Sequence, residues 1–331
     1  MFNPYPNLPH KIRNYVLNSI IGQGASAIVY KATNILYNID FAVKVVFKSK
    51  VSDRNTRTYE AEVNSLVKLD HPNVIRLYDF FNEDNNMFLV LEYCGGGTLE
   101  DKILKDEVIS ENEKLKICSQ IISALKYCYD MSIAHQDIKA SNVLFDNNGR
   151  IKVADFGLSG IINHDANIDL HRGTLCYSAP EVCQIKSFNP FKSDIWSLGV
   201  LIYRLFTYSY PFEGSTKEDL KNSIINGYYQ DRLSGQIKKI VKSMLVVNPD
   251  DRITINRLYH TDLFHPSKIT AFPSLNSKVK ILQKDSLNIK LSKRRSSLLY
   301  NQKFDESVTK PRRCSHFIIK PANSQTFADF P

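Results

Sequence analysis

The chain has 331 residues, 43 Lys and Arg against 34 Asp and Glu, and a formal net charge of +9, a length that accommodates a two-lobed domain of roughly 250 residues plus extensions. Its six cysteines (94, 118, 128, 176, 183 and 314) form no C-x-x-C pair, which argues against a zinc site or a disulfide framework and for a reducing compartment; the cytoplasm is expected, with the nucleus as the alternative. No run approaches about 18 apolar residues and the opening MFNPYPNLPHKIRN lacks an apolar stretch, so neither a membrane span nor a secretory leader is expected.

The charge is uneven. Residues 266–331 hold 13 Lys and Arg against 4 Asp and Glu, whereas residues 1–265 balance at 30 of each. In chain order, YVLNSIIGQGASAIVYKATN places Gly22 and Gly24 between two β-branched runs. That predicts strand-turn-strand, not the strand-to-helix setting of a dinucleotide fingerprint. The next strand, FAVKVVF, carries the single Lys44 among apolar residues. Val63, Leu66, Val67 and Leu69 then recur near helical spacing until the turn His71-Pro72-Asn73. The strand MFLVLEY runs into the glycines 95–97, and residues 111–130 predict a helix that packs Leu115, Cys118, Ile121, Ile122, Leu125 and Cys128 into a core.

The decisive stretch is HQDIKASNVLFDNNGRIKVADFG, residues 135–157. Val143–Phe145 and Ile151–Val153 flank Asp146-Asn147-Asn148-Gly149, so two short strands pair across an Asx/Gly turn and bring Asn142 beside Asp155. An amide oxygen and a carboxylate so placed suit Mg²⁺, which takes few protein ligands and keeps water and phosphate for the rest. Asp137 and Lys139 precede them. Ala179-Pro180-Glu181, then Asp194-Ile195-Trp196-Ser197-Leu198-Gly199 opening a long apolar helix, then Asn248-Pro249-Asp250-Asp251-Arg252 complete the ordered motifs.

From about Tyr15 to His265 these motifs resemble the eukaryotic protein kinases of the Ser/Thr-directed type, and their style resembles the calcium/calmodulin-regulated group. The resemblance implies an α+β, bilobal fold: a small β-rich N-lobe with one helix (15–94) and a larger, mainly helical C-lobe (95–265). Residues 1–14 become an N-terminal extension. Residues 266–331, basic and without sustained periodicity, are expected to form a mobile tail. The implied activity is transfer of the ATP γ-phosphoryl group to a protein Ser or Thr, with Mg²⁺; the alternative is a nucleotide-binding pseudokinase scaffold.

Roles follow by resemblance. Asp137 receives the substrate hydroxyl proton, Lys139 partners the transferred phosphoryl, and Asn142 and Asp155 hold the metal. Lys44 binds the α/β-phosphates and pairs with Glu62, or with Glu60 if the helix is offset. Ile21, Gly22, Gln23, Gly24, Ala25 and Ser26 cover the phosphates, with Ala27 in place of the third glycine. Val29, Ala42 and Leu144 contact the nucleotide, Leu91 limits the adenine pocket, and backbone groups of Glu92 and Cys94 bond the adenine edge. Thr174 contacts Asp137 and Lys139, Glu181 pairs with Arg252, and Asp194 anchors the catalytic loop.

Two departures agree. Gln136 replaces the Arg that receives an activation-loop phosphate, and Leu170 stands where the acceptor usually lies, with Ser159 the sole hydroxyl between 158 and 172. Activation is therefore expected without loop phosphorylation, with Asp169 or packing of Leu170 ordering the segment. At the positions that bind substrate arginines in basophilic relatives stand Thr98, Ser141 and Arg204, which weighs against an upstream Arg preference. In the tail, Ser297 and Ser315 each follow paired arginines and are expected targets of a separate basophilic kinase. That tail is expected to be autoinhibitory, tethering or simply solvated; nucleic acid is not expected as a partner. Its ending Phe327-Ala328-Asp329-Phe330 resembles a small-lobe docking motif.

Overall fold

The computed structural model describes residues 5, 7–24, 27–47, 62–84, 86–105, 107–156, 175–184 and 188–264. Successive side chains point to opposite faces of a strand, and in β3 and β4 apolar residues on both faces are buried. Strands β1 (His10–Ile12), β2 (Tyr15–Gln23), β3 (Ala27–Asn34), β4 (Ile39–Phe47), β5 (Leu77–Glu83) and β6 (Asn86–Glu92) form one antiparallel sheet in the order β1-β2-β3-β4-β6-β5. Ile28, Tyr30, Ala32, Phe41, Val43 and Val45 turn to one face and make an aromatic-rich layer. Ala27, Val46 and Leu89 turn to the other and join the main core. Residues 62–68 form helix α1, burying Val63 and Leu66 as their spacing predicts.

The sheet begins earlier than the motifs do. His10–Ile12 pairs with Tyr15–Leu17, so part of the stretch read as an extension is a strand. Tyr5 is buried against the outer layer, stacking on His10 at 4.4 Å and meeting Tyr30 and Phe88 at 6.3 and 6.4 Å.

The second lobe is helical: α2 (Leu99–Leu104), α3 (Glu111–Asp130), α4 (Pro180–Cys183), α5 (Pro190–Thr207), α6 (Lys217–Asn226), α7 (Gly235–Met244) and α8 (Ile255–Tyr259), with the small hairpin β7 (Val143–Phe145) and β8 (Ile151–Val153). Helix α3 buries Cys118, Ile121, Ile122, Leu125 and Cys128. Leu115, expected in that stripe, is only half-buried, and Lys114 and Ile117 are buried beside it; the Lys114 ammonium lies 4.5 Å from the Tyr208 ring centre, an apolar stem and cation–π contact that hydrophobic pattern alone does not reveal.

Helix α5 is buried from Ser193 to Leu205 on all sides, the mark of a central core helix. It starts at Pro190, capped by the Asn189 side chain, four residues before the Asp194 that the motif placed at its opening. Gly199 lets α7 approach: a Cβ there would sit 2.9 Å from Met244 Cβ. Arg252 forks onto both Glu181 oxygens at 2.6 and 2.7 Å and donates to the carbonyls of Lys192 and Val246, joining α4, α5 and the turn after α7 in the pair that the resemblance implied. Among the described residues, no helix is long and apolar enough to cross a membrane.

Removal of the Tyr5 ring should cost about 2–3 kcal/mol, the scale of burying one aromatic side chain. Urea denaturation of Tyr5→Ala against wild type measures this. A loss well under about 1 kcal/mol would mean that the outer layer is complete without it.

Candidate active site

The strand register places the site's upper half. Val29 lies opposite Lys44 across β3 and β4, and Ala42 and Lys44 lie opposite Leu91 and Leu89 across β4 and β6. Directly opposed residues share a face, so Val29, Ala42, Lys44, Leu89 and Leu91 all turn towards the second lobe. Lys44 Nζ donates to Glu62 Oε1 and Oε2 at 2.9 and 2.8 Å and to Asp155 Oδ1 at 3.3 Å. This geometry selects Glu62; Glu60 lies outside the described residues. Burial pushes the Glu62 carboxyl up, with Lys44 opposing. Lys44, foremost, holds Asp155 below the usual carboxylate range.

The lower half is a loop fixed from beneath. Asp194, on α5, accepts N–H bonds from His135 and Gln136, both at 2.7 Å. Its burial is deep enough to push its pKa up to about 7, despite two donors that favour the charged form. Gln136 holds φ 66° and Asp155 φ 65°, left-handed values that cost a non-glycine residue and persist only where neighbours impose them. His135 accepts from the Asp137 amide at Nδ1 (3.2 Å) and donates from Nε2 to Ala154 O (3.0 Å). That network requires a neutral ring, in line with burial lowering its pKa.

Around Asp137, Lys139 Nζ donates to Oδ2 at 2.7 Å, and Asn142 Nδ2 donates to the same oxygen at 3.0 Å and to the Asp137 carbonyl at 2.8 Å. Two acceptors on one side fix the Asn142 amide, and no described residue donates to its Oδ1. The β7–β8 hairpin pairs Val143 with Val153, and Ala154 N donates to Asn142 O at 2.9 Å, so Asn142 and Asp155 are brought together as the turn predicted. Asp155, 47% exposed at its side chain, and the open Asn142 oxygen form a sparse, hard-oxygen pair that fits Mg²⁺ and no metal needing a full protein cage. Among the described residues, no group of three His, Cys, Asp or Glu could hold an ion.

At the connection between lobes, Glu92 N donates to Arg76 O at 2.9 Å. The amide of Cys94 is bonded by no described residue, so Glu92 can offer a carbonyl and Cys94 an N–H to the edge of a planar base. The Cys94 thiol is pushed up to about 12 by burial and by Glu92, which makes it a small apolar wall, not a nucleophile. Leu144 is half-buried and bridges to Thr98. Gly22 and Gln23 end β2, and Gly24 N, just after it, donates to Ala27 O at 2.8 Å; Ile21 is exposed. Ala25, Ser26, Gly157, Ser159, Asp169, Leu170 and Thr174 lie outside the described residues, as does the tail with Ser297 and Ser315.

One expectation needs correction. Arg204 does not present a reversed charge to the cleft, because its side chain is 5% exposed and paired with Glu100, Nη2 to Oε1 at 2.7 Å. Thr98 caps α2, exchanging bonds with Asp101 in a capping box. Only Ser141 of the three stands exposed. Sequence reasoning also missed Lys152, which pairs with Glu92 at 2.8 Å, and Tyr177, whose hydroxyl accepts from Ala140 N at 3.4 Å; neither contact leaves a short-range pattern.

Comparison with known proteins agrees with this geometry. The model of the family described as "Protein kinase domain" matches residues 15–264. The chain is similar to the probable serine/threonine-protein kinase MARK-C of Dictyostelium discoideum, 35% identical over 252 residues, which are 75% of this chain and 33% of that protein. It is also similar to a serine/threonine-protein kinase SIK3 homolog of Danio rerio, 32% identical over 250 residues, 75% of this chain and 21% of that protein. The chain thus spans about a third and about a fifth of these curated relatives.

Replacing Lys44 by Met leaves Glu62 as a buried, uncompensated carboxylate and should cost about 3–5 kcal/mol at pH 8. The deficit should shrink on acidification. Glu62, raised by burial and raised further in the variant, penalises the fold increasingly as pH rises from its unfolded to its folded pKa, so the penalty fades as pH falls back through that range. Asp155, depressed by Lys44 in wild type, lends stability that is lost only as pH falls through its depressed folded value, below this window. Denaturant titrations of both proteins from pH 8 to pH 5 check this; a constant difference would refute it.

Proposed function

The chain belongs to the protein kinase domain family, and from that premise we propose that it is a serine/threonine protein kinase that moves the ATP γ-phosphoryl group to a protein Ser or Thr hydroxyl. The observation that carries the reading is the state of Asp137. One of its oxygens is tied by Lys139 and Asn142, and the other accepts from no described residue. The tied oxygen fixes the carboxylate plane, and the open one is free to accept and orient a substrate hydroxyl.

Transfer asks mainly for position and positive charge where charge collects. Lys139 lies beside the acceptor carboxylate and can follow the migrating phosphoryl. Lys44, held by Glu62, offers its ammonium to the α- and β-phosphates. The carbonyl of Glu92 and the amide of Cys94 hold the base edge, with Ala42, Val29 and Leu144 about it and Ile21 to Gly24 above the phosphates. Asn142 and Asp155 would hold Mg²⁺, which neutralises phosphate charge when bound.

Activity without phosphorylation of the activation loop is part of the proposal. It rests on Gln136, an uncharged amide that cannot pair with a phosphate as Arg does, and on Leu170 at the usual acceptor position. The placement beside the calcium/calmodulin-regulated group rests on motif style alone. The arginine pairs before Ser297 and Ser315 support a second, basophilic kinase acting on the tail.

The full chain, treated with phosphatase and supplied with Mg²⁺ and ATP, should phosphorylate a mixed Ser/Thr peptide library. Asp137→Asn should lower that rate about 10²- to 10⁴-fold while nucleotide binding persists. Turnover that dies with phosphatase treatment and maps to a site in 158–172 would remove the loop-independent part; nucleotide binding with no turnover would leave the scaffold alternative.

A further inference from the structure

We propose that Arg204 is a positioning residue for phosphoryl transfer, acting through Tyr177 on the catalytic loop; the proposal rests on the kinase reading above. The loop is held on both sides of Asp137. On the N-terminal side, Asp194 takes the amides of His135 and Gln136. On the C-terminal side, the Tyr177 hydroxyl takes the amide of Ala140 at 3.4 Å, the residue after Lys139 and the first of the 3₁₀ turn Ala140–Asn142.

Tyr177 is itself held twice by α5. Ser197 Oγ donates to its carbonyl at 2.8 Å, and Arg204 Nη1 donates to its hydroxyl oxygen at 3.0 Å. Asp194 and Arg204 are thus two grips on one rigid helix, ten residues or ~15 Å apart along its axis. Each ends on one flank of Asp137.

The second grip requires an arginine. Its planar fork reaches both Glu100 oxygens and the Tyr177 hydroxyl together, while its face lies 4.2 Å from the centre of the Tyr210 ring. Tyr210 in turn meets Tyr177 edge-on at 5.6 Å. Lysine, a point charge, could not serve all three. A buried ion pair is a poor source of stability; this one ends on the catalytic loop. Glu100, on the helix just after the lobe connection, sets the fork, the fork sets the tyrosine, and the tyrosine supports the turn that carries Asn142.

The test uses full-length protein and the variants Arg204→Met, Tyr177→Phe and both together. Either single change should lower kcat for peptide roughly tenfold to a hundredfold with the KM for ATP unchanged, and the double variant should lose no more than the worse single, since both cut one path. Hydrogen exchange gives a readout independent of turnover: amides of residues 138–142 should exchange faster in the variants, while those of 135–136, held by Asp194, should not. A folded Arg204→Met protein with wild-type kcat and wild-type exchange overturns the proposal, as do fully additive losses. Should Arg204→Met not fold, Tyr177→Phe, which removes one hydroxyl, carries both readouts. If wild type transfers no phosphate, the kinase reading falls, and the exchange pattern still decides whether Arg204 positions the loop.

Discussion

A carboxylate buried in the middle of the second lobe is the constraint on which the rest depends. Asp194 is charged chemistry in an apolar helix, and burial alone would drive it to take up a proton. What makes it tolerable is a loop whose two consecutive amides point into it. The loop needs the helix just as much, because Gln136 sits in a left-handed backbone state that no isolated segment would hold. Helix and loop therefore specify one another, and Asp137 lies one residue beyond that joint.

A second link works across the lobes. Lys44 belongs to the sheet, Glu62 to helix α1 and Asp155 to the end of the β7–β8 hairpin, so one ammonium joins three elements from distant parts of the chain. The two acids are not equivalent: Glu62 is buried and structural in character, whereas Asp155 is half-open to the cleft. The same charge that organises the cleft is thereby left facing the place where phosphate charge would arrive.

Much of this was legible because it is short-range. The glycine hairpin, the apolar strand with one lysine, the Asx/Gly turn between two triplets and the ordered motifs each lie within a few residues, and turn chemistry fixes what they form. What the sequence concealed is long-range. Arg204 and Glu100 lie 104 residues apart, so the motif could place Arg204 at a substrate-arginine position but not show that the fold buries it against Glu100. Lys114 escaped the apolar stripe, because only the packed structure shows the aromatic ring beneath its ammonium. His10–Ile12 carries three residues of strand, too few for alternation to register against a proline-rich flank.

That short strand changes how the domain's edge behaves. With β1 in place, the row of backbone donors and acceptors along the start of β2 is occupied. A chain trimmed at Tyr15, where the recognisable motifs begin, would bare that row beside the apolar layer that Tyr5 covers. Unsatisfied strand edges next to exposed aromatic surface recruit other chains. In this protein, closure of that sheet edge therefore rests on residues outside every recognisable motif.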